Sequence, residues 1–123
     1  MRRARGEREA ADDALDVARL CREGAEDKKA RDAVILDVRG LSSVTDYFVI
    51  CSGDVQPQLR AMTEAIEKKL REERGRRARG IDGLRGGNWV VLDYGDVVVH
   101  IFQHALRLHY GLEELWSDAP RVT

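Results

Sequence analysis

Apolar positions first recur at helical spacing between about Glu9 and Glu23, where Ala14, Val17, Ala18 and Cys21 share one face. Gly24 interrupts that pattern and predicts the helix end. Residues 1–8 carry too little apolar surface to pack and are expected to be a disordered extension. The period then shortens. "DAVILDV" (32–38) and "DYFVICS" (46–52) are short apolar runs rich in branched and aromatic residues, and both predict strands. The intervening "RGLSSVT" is long for a tight hairpin but short enough to join antiparallel neighbours.

Past Gly53 the helical period returns, with Leu59, Met62, Ile66 and Leu70 on one stripe and Lys and Glu opposite. Asp54 is placed to cap this helix, and Gly75 to stop it. Pro57 is tolerated in the first turn, where its missing N–H would have had no intrahelical partner. "RARGIDGLRGG" is irregular, with a brief strand expected near its start. "WVVLD" and "VVVHIF" are too short and too β-branched for helices, and Tyr94-Gly95 is expected to supply the turn between them. Tyrosine fits the first position of a type I′ turn poorly, which leaves the turn type open. Strand alternation points Trp89, Val91 and Asp93 one way and Val90, Leu92 and Tyr94 the other. Strands apolar on both faces need helices on both sides, or a partner on one. Gln103 to Trp116 again has helical character, with Leu106, Leu115 and Trp116 expected to dock on the sheet before "SDAPRV" ends the fold.

The order is α-β-β-α-(β)-β-β-α. It implies an α+β fold with a mixed or mainly antiparallel sheet of about five strands and flanking helices, in one domain over 9–123. With 43% hydrophobic and 35% charged residues, the chain has enough apolar side chains for one core, and no apolar run long enough for a bilayer. The arginines of "MRRARGEREAADD" are followed by no apolar segment, and acidic residues interrupt them. A secretory or transit leader is therefore not expected, and a cytoplasmic location is. Cys21 and Cys51 lack metal-ligand spacing, and Cys51 within "YFVICS" reads as a buried free thiol. Net charge is −1, yet "KKLREERGRRARG" (68–80) is strongly basic. It reads either as a solvated helix end and loop or as a weak RNA footprint without stacking aromatics.

Few residues suggest chemistry. Asp93 and Asp96 flank a glycine, but carboxylates at a turn need not converge, and turns favour Asp and Gly for their own reasons. His100 lies between Val99 and Ile101 and reads as a core-edge or hydrogen-bonded histidine, while His104 and His109 belong to the last helix. "GIDGLRGGNW" matches neither a P-loop nor a dinucleotide fingerprint. Trp89 and Tyr94 rimmed by aspartates have the composition of a binding hot spot, and a core Trp89 is the equal alternative.

Three blocks carry a resemblance. "LDVRGLSSVTDYFVICSG" (36–53), "GNWVVLDYGDVVVHIF" (87–102) and "LEELWSDAPRV" (112–122) closely resemble the ribosomal silencing factor, or Iojap-related, family, in its order and spacing. The resemblance spans about residues 9–122. It implies a fold similar to nucleotidyltransferases without their catalytic site, since "CSGDVQPQ" holds Gly53 and Asp54 but no Asp-x-Asp pair. It implies binding rather than catalysis, and no cofactor. The partner implied is the large ribosomal subunit, through its fourteenth large-subunit protein, with subunit joining blocked and translation lowered when nutrients are scarce. The family's contact hairpin falls on Trp89, Asp93, Tyr94 and Asp96, with Gly95 shaping the turn, and gives His100 a supporting place. The basic 68–80 stretch allows a weak ribosomal RNA contact, and an apolar hairpin face allows a homodimer in the free protein. The rival reading is a nucleotidyltransferase-like enzyme holding Mg²⁺ on Asp37, Asp93 or Asp96.

Overall fold

The computed structural model describes residues 5–122, with side chains from residue 13 onward. Helix α1 spans Arg5–Glu26, starting ahead of the expected Glu9. The expectation of disorder for 1–8 falls partly on residues 1–4, which lie outside the described residues. Strands β1 (Arg31–Asp37) and β2 (Tyr47–Gly53) follow and pair antiparallel. Helix α2 (Gln56–Arg74) crosses to β3 (Gly80–Asp82), β4 (Trp89–Asp93) and β5 (Val97–Gln103). The chain closes with α3 (His104–Tyr110), α4 (Leu112–Leu115) and β6 (Arg121–Val122).

The six strands form one sheet in the order β3-β4-β5-β2-β1-β6. Among the described strands, β2 and β5 run parallel, joined by the crossover through α2, and the other strand pairings are antiparallel. The expected mixed sheet with flanking helices is therefore present. Its sixth strand was not foreseen: Arg121 and Val122 pair with Leu36 and Ile35 at the β1 edge. Pro120 stands just before this strand, a position that needs no donor, and its carbonyl accepts the Asp37 N–H at 2.8 Å.

Two apolar layers flank the sheet. On one side, Ala14, Val17, Ala18 and Cys21 of α1 and Leu59, Met62, Ile66 and Leu70 of α2 pack on Val49, Cys51, Val90, Leu92, Val99 and Ile101. On the other, Phe48, Ile50 and Phe102 meet Leu112, Trp116 and Ala119. Both cysteines are free and buried, and burial pushes the Cys51 thiol up to about 12, well away from thiolate chemistry.

Four local expectations need correction. Gly24 does not end α1, which continues to Glu26. The glycine instead permits close approach of the helices, because an added Cβ would lie 3.1 Å from the Ile66 Cα. Asp54 does not cap α2. Val55 is the cap residue and gives no side-chain bond, while the Gln58 side chain reaches back to accept the Asp54 N–H at 2.7 Å. Asp54 itself takes Arg31 at 2.8 Å. The C-terminal helix is two helices, because Gly111 at φ 64° caps α3 and starts α4. Leu115 consequently points outward, 77% exposed, while Trp116 packs on Phe48 with ring centroids 5.2 Å apart. By contrast, Pro57 in the first turn of α2 and Gly75 at its end, φ 62°, stand where the sequence puts them.

Gly24→Ala should destabilise the fold. Alanine favours a helix by about 1 kcal/mol over glycine, but the new methyl meets the Ile66 backbone, which cannot rotate away, and such overpacking costs about 1–3 kcal/mol. A urea titration should show a net loss on the order of 1 kcal/mol, and a gain would show that α1 and α2 have slack at this crossing.

Candidate partner-binding site

The site is built on the β4–β5 hairpin. Tyr94 N–H donates to the Val97 carbonyl at 2.9 Å, so Tyr94 and Val97 close the hairpin and Gly95-Asp96 is its two-residue turn. That is one residue later than expected. Gly95 has φ 89°, and a positive φ at the first turn position is the requirement of a type II′ turn. Tyrosine thus avoids the conformation that suits it poorly.

Both aspartates have work inside the hairpin. Asp93 Oδ1 accepts the Gly95 N–H at 2.7 Å, an Asx-type bond that holds the turn. Asp96 accepts from Arg76 Nη2 at 2.8 Å and Nη1 at 3.2 Å, and the same Nη2 donates to the Tyr94 carbonyl at 2.6 Å. Asp37, the third carboxylate of the rival reading, is gripped by Arg39 at 2.9 and 2.7 Å. Among the described residues, no three His, Cys, Asp or Glu side chains are grouped to hold a metal.

Alternation places the aromatic residues on opposite faces, as expected. Tyr94 faces the α1–α2 layer and is only 2% exposed, so its ring supports the turn from within and does not reach the surface of the free chain. Trp89 faces the other way, half-buried. Its ring centroid lies 4.9 Å from both Phe102 and Tyr110, and its Nε1–H donates to His100 Nδ1 at 3.1 Å. An indole nitrogen only donates, so His100 Nδ1 carries no proton and the neutral ring is protonated at Nε2. Nε2 is buried with no protein partner. Burial lowers the His100 pKa from 6.5 to about 4, so the ring is neutral at physiological pH.

The Trp89 face is thinly covered. Trp89, Val91 and Asp93 along β4, with Val98 paired opposite Asp93 on β5, remain half-exposed between the turn and the last helices. Tyr110, at the end of α3, extends this strip beside Trp89 and was missed in the sequence, where its neighbours Leu108 and His109 blur the periodicity. A second missed group secures α3. Arg107, 8% exposed, donates to the Asp32 and Arg31 carbonyls at 2.8 and 3.2 Å, to Ser52 Oγ at 3.2 Å and to Glu113 at 2.7 Å. Ser52 Oγ also pairs with His104 Nδ1 at 2.7 Å. These bonds tie the end of β2 and the start of β1 to the helices that partly roof the Trp89 face.

The family model described as ribosomal silencing factor during starvation matches residues 11–123. The chain belongs to the ribosomal silencing factor family. It is 38% identical over 107 residues to ribosomal silencing factor RsfS of Halalkalibacterium halodurans, covering 87% of this chain and 91% of that one. The Bacillus subtilis RsfS is 39% identical over 104 residues, with 85% and 87% covered. A crystal structure of a Chromobacterium violaceum protein shares 35% identity with a TM-score of 0.80, covering 84% of this chain and 85% of that one. Family membership makes this a ribosome-associated regulator of translation.

In this family member, His100 predicts an acid-sensitive fold. Its folded-state pKa lies below the ordinary value, so the unfolded chain binds more protons between about pH 6.5 and 4. The contribution is complete above about pH 6.5 and is lost as pH falls towards 4; it is on the order of 3 kcal/mol. Denaturant midpoints between pH 7 and 4.5 should fall more steeply for the unaltered chain than for His100→Gln. Equal slopes would assign the acid sensitivity to the carboxylates.

Proposed function

We propose that the chain represses translation by docking on the large ribosomal subunit through its fourteenth large-subunit protein, sterically blocking subunit joining when nutrients are limiting. The observation that carries this reading is the thinly roofed sheet face of Trp89, Val91, Asp93 and Val98, in a member of a ribosomal silencing family. Trp89 is the apolar anchor, pre-set by its contacts with Phe102 and Tyr110. Asp93 spends one carboxylate oxygen on Gly95 and leaves Oδ2 for a basic side chain of the partner. Asp96 and Tyr94 act through the turn they hold, and Gly95 through its shape. The work is binding, with no cofactor and no reaction, in the cytoplasm.

Two further contacts belong to this proposal. In the basic 68–80 stretch, Lys69 is paired with Glu23, Asp27 and Glu73, Arg74 with Asp13 and Asp16, and Arg76 with Asp96. Lys68, Arg71, Arg77 and Arg79 have no ion-pair partner among the described residues and are the side chains for a weak ribosomal RNA contact. The same half-exposed strip serves as the homodimer face when the ribosome is absent.

Co-sedimentation with purified large subunits tests the reading. The unaltered chain should bind. Trp89→Ala, checked for folding by circular dichroism, should lose ~2 kcal/mol, about thirtyfold. Asp93→Lys should weaken binding several-fold, since an exposed pair contributes about 0.2–1 kcal/mol before charge reversal adds repulsion. If both variants bind like the parent, the contact lies elsewhere; if the parent itself does not sediment, the function is wrong. Light scattering over a concentration series should show the dimer, and monomer throughout would remove it.

A further inference from the structure

The helices that roof the Trp89 face are anchored through a buried charge. Arg107 is the buried residue of α3, and α4 has none of its own. A helix of 7 residues is too short to persist without outside contacts. Arg107 supplies them. Its Nη2 donates to the Asp32 carbonyl at 2.8 Å, Nη1 to the Arg31 carbonyl and to Ser52 Oγ, each at 3.2 Å, and Nε to Glu113 at 2.7 Å. Consecutive carbonyls of a regular strand point in opposite directions, so one side chain could not take both. Here the register of β1 against β2 shifts between Arg31 and Val34, and Asp32 has φ 48°, a left-handed value uncommon outside glycine. This irregularity lets both carbonyls meet Arg107. Glu113 passes the link on, since its other oxygen accepts from Arg121 of β6 at 3.4 Å.

We propose that Arg107 is the positioning residue of the docking face. Tyr110 lies one turn along α3 from Arg107, with its ring centroid 4.9 Å from that of Trp89. Fixing Arg107 therefore fixes Tyr110 against the indole, and Glu113 holds α4 and β6 in the same frame. Arg107 is buried, so it acts through Tyr110 and Trp89 and not by touching the partner. Its role is to present the face already formed, so that less freedom is lost on docking. The bond set is specific to arginine. Four acceptors surround one planar group, more than the three donors of a lysine ammonium can satisfy. The inference rests on docking through the Trp89 face, but the placement it assigns to Trp89 can be read without the ribosome.

Two readouts on the full chain test this. One is the Trp89 indole N–H resonance of the ¹⁵N-labelled protein, assigned with Trp116→Phe. The other is co-sedimentation with purified large subunits. Arg107→Lys and Glu113→Ala should keep the far-ultraviolet circular dichroism of the parent, shift or broaden the indole resonance, and weaken binding about threefold to tenfold. Glu113→Gln still offers an oxygen to Arg107 Nε and should restore both readouts. Gly24→Ala strains the opposite side of the sheet and should leave both unchanged, which separates positioning from a general loss of stability. If Arg107→Lys fails to fold, Glu113→Ala decides, because its side chain is partly exposed. An unmoved indole resonance in Glu113→Ala overturns the proposal, as does parental affinity despite a moved resonance. Equal effects from Gly24→Ala also overturn it. A parent that does not sediment, with an indole resonance that still responds to Glu113→Ala, removes the docking reading and keeps Arg107 as the residue that shapes the face.

Discussion

A strand that is apolar on both faces must be covered on both faces, and the parallel pair β2–β5 places two such strands at the centre of this sheet. Every residue of β2 is buried. Helices α1 and α2, of 22 and 19 residues, cover one side. The other side has only α3 and α4, of 7 and 4 residues, and the C-terminal segment. These eleven helical residues cover Phe48, Ile50 and Phe102 but touch Trp89 only through Tyr110, and Trp89, Val91 and Val98 stay partly exposed. The partly exposed strip is thus a consequence of unequal cover over a two-faced sheet.

The charges near that face mostly hold the hairpin together. Asp93 and Asp96 stabilise the turn through Gly95 N–H and Arg76, and Arg76 in turn ties the hairpin to the segment following α2. In the proposed docking, a rigid turn would lower the entropy lost when the face meets its partner, so these internal bonds would support binding without all touching it. His100 acts similarly: as a neutral acceptor it fixes the Trp89 indole, whose position then needs no adjustment. The same Arg76 link brings the basic end of α2 beside the turn.

Much of this was legible in the sequence because periodicity reports burial directly. The stripes of α1 and α2, the four long strands, the Gly75 cap and the opposed faces of Trp89 and Tyr94 all follow from spacing. The misses share a cause, which is that local rules were overridden by long-range contacts. Gly24 looked like a stop and is a helix crossing; Asp54 looked like a cap and is taken by Arg31. The two-residue β6 has no pattern of its own and exists only because β1 offers an edge. Arg107 reads as a surface residue, and its burial depends on the carbonyls of Arg31 and Asp32, some 75 residues away in sequence. The sequence located the hairpin and the face of Trp89 but could not apportion the aspartates, because only the fold brings Arg76 to Asp96.

Hydroxyl-radical footprinting of the chain, free and bound to purified large subunits, distinguishes the two faces. Docking through the Trp89 face should make Trp89, Val91, Val98 and Tyr110 lose reactivity on binding, while the outer surfaces of α1 and α2 keep theirs. Protection concentrated on α1 and α2, with Trp89 and Tyr110 unchanged, would contradict it.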